Sequence, residues 1–540
     1  MRLSSRVIGL AAAAFVWGSS PLACAAADAS VPQTSAQLAA EFPDPAEAGM
    51  EYALNRRAFK GYKGRGILNL RSRGVRSAEI YINGRLISTQ NLFASGKEQV
   101  TIPIGSYTQD GENTLKVLKI EPAGAKLEAS LPYPELLPGR PEQAGFSEKK
   151  LQIIDQVIGE NIRQGFPGAV LLVLKNGRVV KETAYGWAKM YDGTRLLPED
   201  KREPMTVDTM FDLASNTKMY ATIFALMKLT DEGRINPEDY VVKYLPEYKG
   251  DGRENIRLRD VISHSAGYSP YIAFNKPEAG KFYSLQREKT LSLLPDVPLS
   301  YPTGTKTVYS DTDYMLLAEV IERVTGQRLD DYVEKNIYQP LGLGHTLFNP
   351  LRKGFVPADF AATEPCGNTR SGMVYFPGVR QYTIQGEVQD ERAYYSMDGV
   401  SGHAGLFSRA GDLAVLAQLM LNQGGYGGYR LCSPQVVTKF TKPTDRNPLF
   451  GLGWNKMAYP ERNWEFGPYA GSDAIAHSGW TGIDIEIDPQ HDLAVILLTN
   501  RVHAPNIPGD PDRFVTKNFP AARYGSMLSL VYEAFLEENP

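Results

Sequence analysis

The sequence predicts an α+β protein: an antiparallel sheet flanked by helices, with a helical insertion, preceded by a small all-β sandwich module. Three segments of the larger, C-terminal part of the chain have the pattern of strands, namely Ala169 to Leu174, Ala474 to Ile487 and Leu493 to Leu498. A long helical region separates the first from the other two, and Ser526 to Phe535 reads as a closing helix. Strands and helices in this order are typical of a sheet covered by helices.

The composition is that of an ordinary globular protein with enough apolar material for a large core. The chain has 540 residues, of which 43% are hydrophobic and 22% are charged. Its formal net charge is only -3, and it contains no long Lys/Arg run. A basic excess is what attracts nucleic acid or an anionic membrane, so neither is expected as a partner.

The first 27 residues read as a secretory signal peptide. Arg2 and Arg6 precede an apolar stretch that ends in small residues, which is the usual order of charged, apolar and cleavage regions. Export to the periplasm or cell envelope is therefore expected, with cleavage near Ala27. The alternative is lipidation of Cys24, which would anchor the protein to a membrane. The remaining cysteines are Cys366 and Cys432, and the sequence does not decide whether they form a disulfide bridge.

In residues 52–121 apolar and polar side chains alternate over short segments, as in the strands of a small β-sandwich. Ala78 to Ile82 meets Asn83-Gly84, a pair that supplies the positive φ angles of a tight hairpin turn. Prolines then crowd residues 122–144, which predicts a linker because proline removes a hydrogen-bond donor and restricts the residue before it. A hydrolase domain is predicted over 145–540. The sandwich reads as a spacer or packing module.

The pattern Ser-x-x-Lys, a nucleophile signature, occurs twice. Ser147 opens an amphipathic helix, where capping explains it sufficiently. Ser215 instead precedes a run, Met219 to Met227, that is apolar on nearly every side and so predicts a buried helix. The i, i+3 spacing places Lys218 on the same helix face as Ser215. Burial disfavours the ammonium, which makes a neutral amine available to activate the hydroxyl.

Leu213 to Lys218 resembles the first motif of the class C β-lactamase-like serine hydrolases, which include penicillin-binding proteins, D-aminopeptidases and esterases. The second motif of that family, Tyr-x-Asn, is similar to Tyr309-Ser310-Asp311, with Asp in place of Asn. The resemblance implies that Tyr309 acts with Lys218 as general base. A carboxylate at Asp311 would pair with Lys218 and hold it charged, which would shift the role of base toward Tyr309.

The third family motif, Lys/His-Thr/Ser-Gly, is similar to His477-Ser478-Gly479. The resemblance implies that His477 and Ser478 contact a substrate carboxylate. It also implies an oxyanion hole made by the backbone N–H groups of Ser215 and Trp480, with Gly479 allowing close approach of the backbone. His264 and His403 lie in two further family-like stretches and are interpreted as structural.

Within the family the resemblance is closest to a bacterial penicillin-binding carboxypeptidase, over residues 140–540. It implies an exported D-Ala-D-Ala carboxypeptidase that acts on peptidoglycan stem peptides and is acylated by β-lactams. A β-lactamase or esterase on the same scaffold is the alternative, and a non-catalytic cell-wall binding or sensing protein is a third reading. No cofactor is expected, and no metal, because the six histidines show no paired helical spacing.

Overall fold

A computed structural model describes residues 56–87, 92–93 and 98–536, together with the backbone of Leu38–Phe42. The predicted signal peptide at 1–27 and Cys24 lie outside the described residues. From Ser35 onward the chain forms one compact unit. Within the described ranges no helix has both the length and the apolar character that a bilayer crossing requires.

The N-terminal module is a sandwich of two four-stranded antiparallel sheets, as the sequence predicts for this segment. Its strands are β1 Leu38–Phe42, β2 Arg56–Gly61, β3 Ile67–Arg73, β4 Ser77–Ile82, β5 Arg85–Ile87, β6 Gln99–Pro103, β7 Gly111–Glu121 and β8 Lys126–Leu131. One sheet has the order β1-β8-β3-β6 and the other β2-β7-β4-β5. Alternate side chains of the two sheets, such as Leu68, Ile80 and Leu115, form a separate core between them.

The predicted linker at 122–144 needs a correction. Strand β8 lies inside it and pairs with both β1 and β3, so Lys126–Leu131 completes the sandwich. Further on, β9 (Leu137–Pro138) pairs with the main sheet of the larger part. Prolines in this stretch flank the strands rather than interrupt them, because proline is tolerated at strand ends and edges. The connection between the two parts is therefore only a few residues long.

The sandwich is docked on the larger part by polar contacts. Lys60 Nζ lies 2.5 Å from Asp492 Oδ1 and donates to the Leu421 carbonyl at 3.1 Å. The Tyr62 hydroxyl accepts from Gln418 Nε2 at 3.0 Å. These bonds tie the sandwich to the back of the main sheet and to a helix that covers it, which supports a packing role for the module.

The larger part is built on an antiparallel sheet with helices on both faces, as predicted. Its remaining strands are β10 Gly168–Lys175, β11 Arg178–Lys189, β12 Tyr191–Asp192, β13 Arg195–Leu196, β14 Glu203–Pro204, β15 Phe211–Asp212, β16 Leu347–Phe348, β17 Leu406–Ser408, β18 Gly425–Tyr426, β19 Tyr429–Arg430, β20 Asn455–Lys456, β21 Ile475–Gly479, β22 Ile483–Asp488, β23 Leu493–Thr499, β24 Asn506–Ile507 and β25 Asp510–Phe514. The main sheet has the order β14-β11-β10-β23-β22-β21-β20. The strands from the two ends of this part thus meet at its centre, where β10 pairs with β23.

Helices pack against the two faces of this sheet. They are α1 Glu148–Arg163, α2 Phe224–Asp231, α3 Leu258–Ile262, α4 Arg287–Leu293, α5 Asp311–Thr325, α6 Leu329–Val333, α7 Glu391–Ser396, α8 Ala410–Leu421, α9 Pro434–Thr441, α10 Asn463–Phe466 and α11 Tyr524–Leu536. Helices α1 and α11 bury their apolar sides on one face. On the other face lies the large core that contains α2, α5 and α8. The middle of the chain is mainly helical but also carries short strand pairs, which the sequence analysis did not predict.

Both cysteines of the described part are free thiols. Cys432 is buried and Cys366 is half-buried, and neither is bridged. The disulfide that the sequence left open is therefore not formed.

Candidate active site

The turn before the predicted nucleophile has an unusual backbone. Ala214 has φ 45°, in the left-handed region that residues with a side chain rarely occupy. The buried carboxylate of Asp212 stabilises this turn, since one oxygen accepts from Ala214 N at 2.9 Å and the other from Gln389 N at 2.6 Å. Strain of this kind is often found at functional sites. Here it presents Ser215 to the cleft at the start of a helical segment.

Lys218 lies under Ser215, one turn further along. Its side chain is fully buried, and Nζ donates to Ser215 Oγ at 3.0 Å and to the His403 carbonyl at 3.3 Å. Residues Lys218–Ile223 form a π-helical segment before α2 continues. Such wide turns are rare and occur frequently at functional sites. The predicted pairing of hydroxyl and amine on one buried helix is thus present in the structure.

Asp311 forms the predicted ion pair with Lys218. Lys218 Nζ lies 2.7 Å from Asp311 Oδ1, at the first residue of α5. Burial alone would lower the pKa of Lys218, but Asp311 and Tyr309 together, through charge and hydrogen bonding, outweigh it and hold the lysine pKa above its ordinary value. Burial opposes the charge of Asp311 too, yet Lys218 and Arg392 keep the pKa of that carboxyl below its usual range. Lys218 is therefore an ammonium in the resting site.

Tyr309 lies against this pair. The Lys218 amine is 4.7 Å from the centre of the Tyr309 ring. The ring is 43% exposed and faces the cleft. Desolvation of its hydroxyl raises the pKa of Tyr309, and Asp311 adds to this, whereas interactions with Lys218 and Ser215 lower it. Tyr309 is thus a neutral phenol at rest that touches both the nucleophile and the amine.

His264 positions the segment that carries Tyr309. Its Nδ1 accepts from Ser310 N at 3.1 Å, and its carbonyl accepts from Val308 N at 2.9 Å. Its ring stacks on Tyr309 with 4.7 Å between centres. Burial and the nearby Lys218 lower the pKa of His264 to about 3, so the ring is neutral and able to accept that bond. The structural role expected for His264 fits these contacts.

A group of residues that sequence reasoning missed extends the ion pair. Arg392 Nη2 lies 2.6 Å from Asp311 Oδ2 and 3.0 Å from Asp390 Oδ2. Asp390 Oδ1 in turn lies 3.1 Å from His403 Nε2. No spacing rule links this segment to Ser215 or Tyr309, because it reaches them only through the tertiary fold. The carbonyl of His403, a residue that was interpreted as structural, contacts Lys218 Nζ directly.

The third motif lies on β21, beside the nucleophile turn. A Cβ added to Gly479 would come within 2.6 Å of the Leu213 carbonyl, so only glycine permits this close approach. Thr481 Oγ1 donates to the Asp212 carbonyl at 2.7 Å and ties the strand end to the turn. Trp480, between these two residues, lines the cleft with Ser215. This arrangement supports the predicted oxyanion hole.

His477 and Ser478 are less accessible than a role in substrate binding suggests. His477 is 2% exposed, and its Nδ1 is 2.8 Å from the Ser478 carbonyl. Burial and the charge of Lys218 lower the pKa of His477 to about 3. A neutral ring cannot supply a positive charge to a substrate carboxylate, and neither residue is among those that line the cleft. Their contact with substrate stays a prediction.

These residues open into a cleft of about 390 Å³. Three cations line it, and each faces a carboxylate. Lys276 is 3.1 Å and Arg370 is 3.3 Å from Glu391, and Arg392 pairs with Asp311 and Asp390. Four carboxylates, Asp311, Asp390, Glu391 and Asp512, also line the cleft, so its lining carries no excess of positive charge.

Asp311, Asp390 and His403 are the one group in the described ranges whose atoms are close enough to share a metal ion. Two cations already occupy its surroundings, since Lys218 and Arg392 both pair with Asp311. A divalent ion would have to compete with them for the same oxygens. The arrangement is that of an ion-pair network, which suits proton transfer better than metal binding.

Residues 152–515 match the Beta-lactamase family. The chain belongs to this family of serine hydrolases. A relative from Bacillus subtilis, named N-acetylmuramyl-L-alanine amidase, is 47% identical over 430 residues, which cover 78% of this chain and 97% of the relative. A relative from Salmonella paratyphi B carries the provisional name D-alanyl-D-alanine carboxypeptidase. It is 46% identical over 409 residues, covering 74% of this chain and 94% of its own.

Solved structures share the fold at low identity. A penicillin-binding protein homologue from Caulobacter crescentus superposes with a TM-score of 0.50 at 21% identity, covering 72% of this chain and 99% of that one. EstCE1, a hydrolase with promiscuous acyltransferase activity, superposes with a TM-score of 0.51 at 23% identity, covering 70% and 99%. These likenesses show the β-lactamase and penicillin-binding-protein fold that the sequence motifs implied.

Proposed function

We propose that the chain is an exported serine amide hydrolase that acts on peptidoglycan stem peptides as a D-Ala-D-Ala carboxypeptidase. The observation that carries this proposal is the contact of Lys218 Nζ with Ser215 Oγ at 3.0 Å, with Tyr309 against the same amine. The name of the Salmonella relative supports the choice of bond. Export rests on the predicted signal at 1–27 alone.

In the proposed reaction the Ser215 hydroxyl attacks the substrate carbonyl. Its proton passes to Tyr309 or Lys218, whichever has released its own proton, and then to the leaving amine. The backbone N–H groups of Ser215 and Trp480 would stabilise the oxyanion of the tetrahedral intermediate. Water then attacks the acyl-enzyme, which releases the shortened peptide and restores the serine hydroxyl. Because Asp311 holds Lys218 as an ammonium, the base that we favour is Tyr309 in the fraction of enzyme whose phenol has lost its proton to water, with the Lys218 charge stabilising that phenolate.

The test is release of D-alanine from a stem-peptide mimic, assayed beside mass spectrometry of the intact protein with a labelled penicillin. We expect D-alanine release and an adduct on Ser215, and loss of both in Ser215→Ala. Ser147→Ala is the matched control, because Ser147 belongs to the other Ser-x-x-Lys pattern and caps α1. Absence of both D-alanine release and adduct in the unmodified protein defeats the carboxypeptidase proposal.

A second candidate function is hydrolysis of the amide that joins N-acetylmuramic acid to L-alanine. The name of the Bacillus relative supports it. So does the cleft, since its three lining cations all face carboxylates and His477 is neutral. A carboxypeptidase needs a positive group for the terminal carboxylate of its substrate, whereas an enzyme that cuts an internal amide does not. Release of free peptide from a muramoyl peptide, without release of D-alanine, decides for this candidate.

Ester and nitrocefin hydrolysis, measured on the same preparation, separate both candidates from a β-lactamase or esterase. Fast nitrocefin turnover with no amide cleavage in either peptide substrate assigns the protein to that alternative. Slow acylation by nitrocefin with amide cleavage supports a peptidoglycan hydrolase.

A further inference from the structure

A second groove continues from the active-site cleft. It has a volume of about 440 Å³ and shares Tyr271, Lys276 and Val374 with the cleft. Ile272 and Phe282 contribute to an apolar floor. We call it the tyrosine groove, because Tyr271 and Tyr375 form part of its wall. A ligand that reaches Ser215 through the cleft can therefore extend into this groove without a break.

The two tyrosines are exposed although the surrounding chain is ordered by hydrogen bonds. Tyr375 is 77% exposed and Tyr271 is 50% exposed. The loop before Tyr375 is held by Val374 N, which donates to the Thr369 carbonyl at 2.8 Å, and by the ion pair of Arg370 with Glu391. Exposed aromatic rings on an ordered segment, next to an active site, are a frequent sign of ligand binding.

The chemistry of the groove suits an N-acetylated sugar ring. One face of such a sugar consists of C–H groups, which pack on the flat ring of a tyrosine, while its hydroxyls remain at the edge for hydrogen bonding. Lys276 and Glu278 supply polar groups at that edge. Lys276 Nζ lies 3.1 Å from Glu391, which occupies one of its three N–H donors, and the others can bind the acetamido carbonyl. The apolar floor accommodates the acetamido methyl group.

We propose that the tyrosine groove binds the N-acetylated sugar of a peptidoglycan fragment while the attached peptide occupies the cleft. This inference rests on the proposed function, because it assumes a substrate in which sugar and peptide are joined. Tyr375 is then a specificity-determining residue: its ring contacts the sugar and takes no part in the chemistry at Ser215.

The first test compares two substrates, an N-acetylmuramoyl peptide and the same peptide with a simple N-acetyl group. In the unmodified protein we expect kcat/KM for amide cleavage to be about tenfold higher with the sugar, the equivalent of about 1.4 kcal/mol of stacking and hydrogen bonding. Tyr375→Ala should remove that preference and leave cleavage of the sugar-free peptide unchanged. Tyr375→Phe should retain it, since the ring is kept.

Tyr459→Ala is the matched control, because Tyr459 is 66% exposed and lines neither the cleft nor the tyrosine groove. Equal kcat/KM for the two substrates in the unmodified protein overturns the sugar inference but leaves the proposed function standing. An effect of Tyr375→Ala on long-chain esters instead of the muramoyl peptide also overturns it, in favour of an acyl-chain groove.

A binding measurement keeps the test independent of catalysis. With Ser215→Ala we expect N-acetylmuramic acid to show saturation-transfer NMR signals that weaken at least fivefold when Tyr375→Ala is added. Absence of signal from the sugar in Ser215→Ala, at millimolar concentration, contradicts the inference. Cleavage of neither peptide substrate by the unmodified protein defeats the proposed function separately.

Discussion

In two clusters of acidic residues the pKa values of the carboxyl groups shift in opposite directions. In the catalytic ion network, Lys218 and Arg392 alternate with Asp311 and Asp390, and the carboxyl of Asp311 has a lowered pKa. In the second cluster, on the other face of the main sheet, Asp484 and Glu486 of β22 lie near Glu465 of α10. Burial raises the pKa values of all three carboxyls, that of Glu465 to about 7.

The opposite pKa shifts follow from the hydrogen-bond donors and cations that surround the carboxyl groups. Both oxygens of Asp484 are buried with no hydrogen-bond partner among the described residues, and Glu486 competes with Asp488 for the single proton of the Tyr532 hydroxyl. Desolvation then dominates, and the neutral acid is favoured. In the catalytic network each carboxylate is half-buried and has a cation in contact, and both are ionised. In this comparison the ionised carboxyls have a cation within 3.0 Å, whereas Arg462 lies 3.7 Å from Glu465.

The largest expected effect is that of Lys218→Met, which removes the central cation of the network with little change in volume. We expect kcat/KM to fall by about 10²-fold to 10⁴-fold, the usual contribution of general acid–base catalysis. Kinetics on whichever substrate the unmodified protein cleaves provides the measurement. Lys228→Met on α2 is the control, since Lys228 pairs with Glu232 at 3.1 Å, lies over the Tyr429 ring and does not line the cleft. Equal losses in the two variants would show that the effect is structural.

Asp311→Asn tests whether the network sets the protonation of the base. Asp311 raises the pKa values of both Lys218 and Tyr309, so its removal should lower both. The rising limb of the profile of kcat/KM against pH should move to lower pH by about one unit or more. A profile that stays in place or moves to higher pH contradicts the assignment. Adding Tyr309→Phe should abolish the limb if Tyr309 is the base.

Asp484→Asn addresses the second cluster, whose carboxyls have raised pKa values. Because the folded-state pKa of Asp484 is raised, its stabilising contribution is complete below the unfolded pKa of about 4 and is lost as pH rises toward the folded value. One such group gives a slope of up to about 1.4 kcal/mol per pH unit. We expect Asp484→Asn to reduce the decline in unfolding free energy between pH 5 and 8, measured by urea denaturation.

Asp488→Asn is the control for that experiment, since Asp488 accepts from Gly471 N at 2.8 Å and from the Tyr532 hydroxyl at 2.7 Å. It should destabilise the protein by about 1–3 kcal/mol, because buried donors lose one of their hydrogen-bond acceptors. If both variants change stability equally at every pH, the contrast between satisfied and unsatisfied carboxylates is wrong.

The smallest effect is expected at an exposed pair. Lys243 Nζ lies 2.7 Å from Asp239 Oδ2, and the lysine side chain is 62% exposed. Water and salt screen such pairs, so Lys243→Gln should leave Tm unchanged within experimental error. A clear drop in Tm, measured by circular dichroism in 0.15 M salt, would mean that contact between charges matters even without burial.

Much of the site was predictable because its chemistry is local in sequence. The spacing of Ser215 and Lys218 and the apolar run after them predict a shared, buried helix face, and Gly479 marks a close approach of the backbone. The hairpin that begins at Ala169 and the closing helix were also predicted, since periodicity and turn residues are local signals. The linker was partly wrong, because the pairing partners of Lys126–Leu131 lie far away in sequence.

The sequence alone determined which groups meet within one helical turn, and hence the proposed nucleophile and its amine. Only the tertiary structure decided their charge. His403 reaches Lys218 and Arg392 reaches Asp311 from a distant segment, and the alternation of β22 places Asp484 where no donor of the described residues reaches it. Charge states depend on every group packed within a few ångströms, and a folded chain brings those groups together from positions that no spacing rule connects.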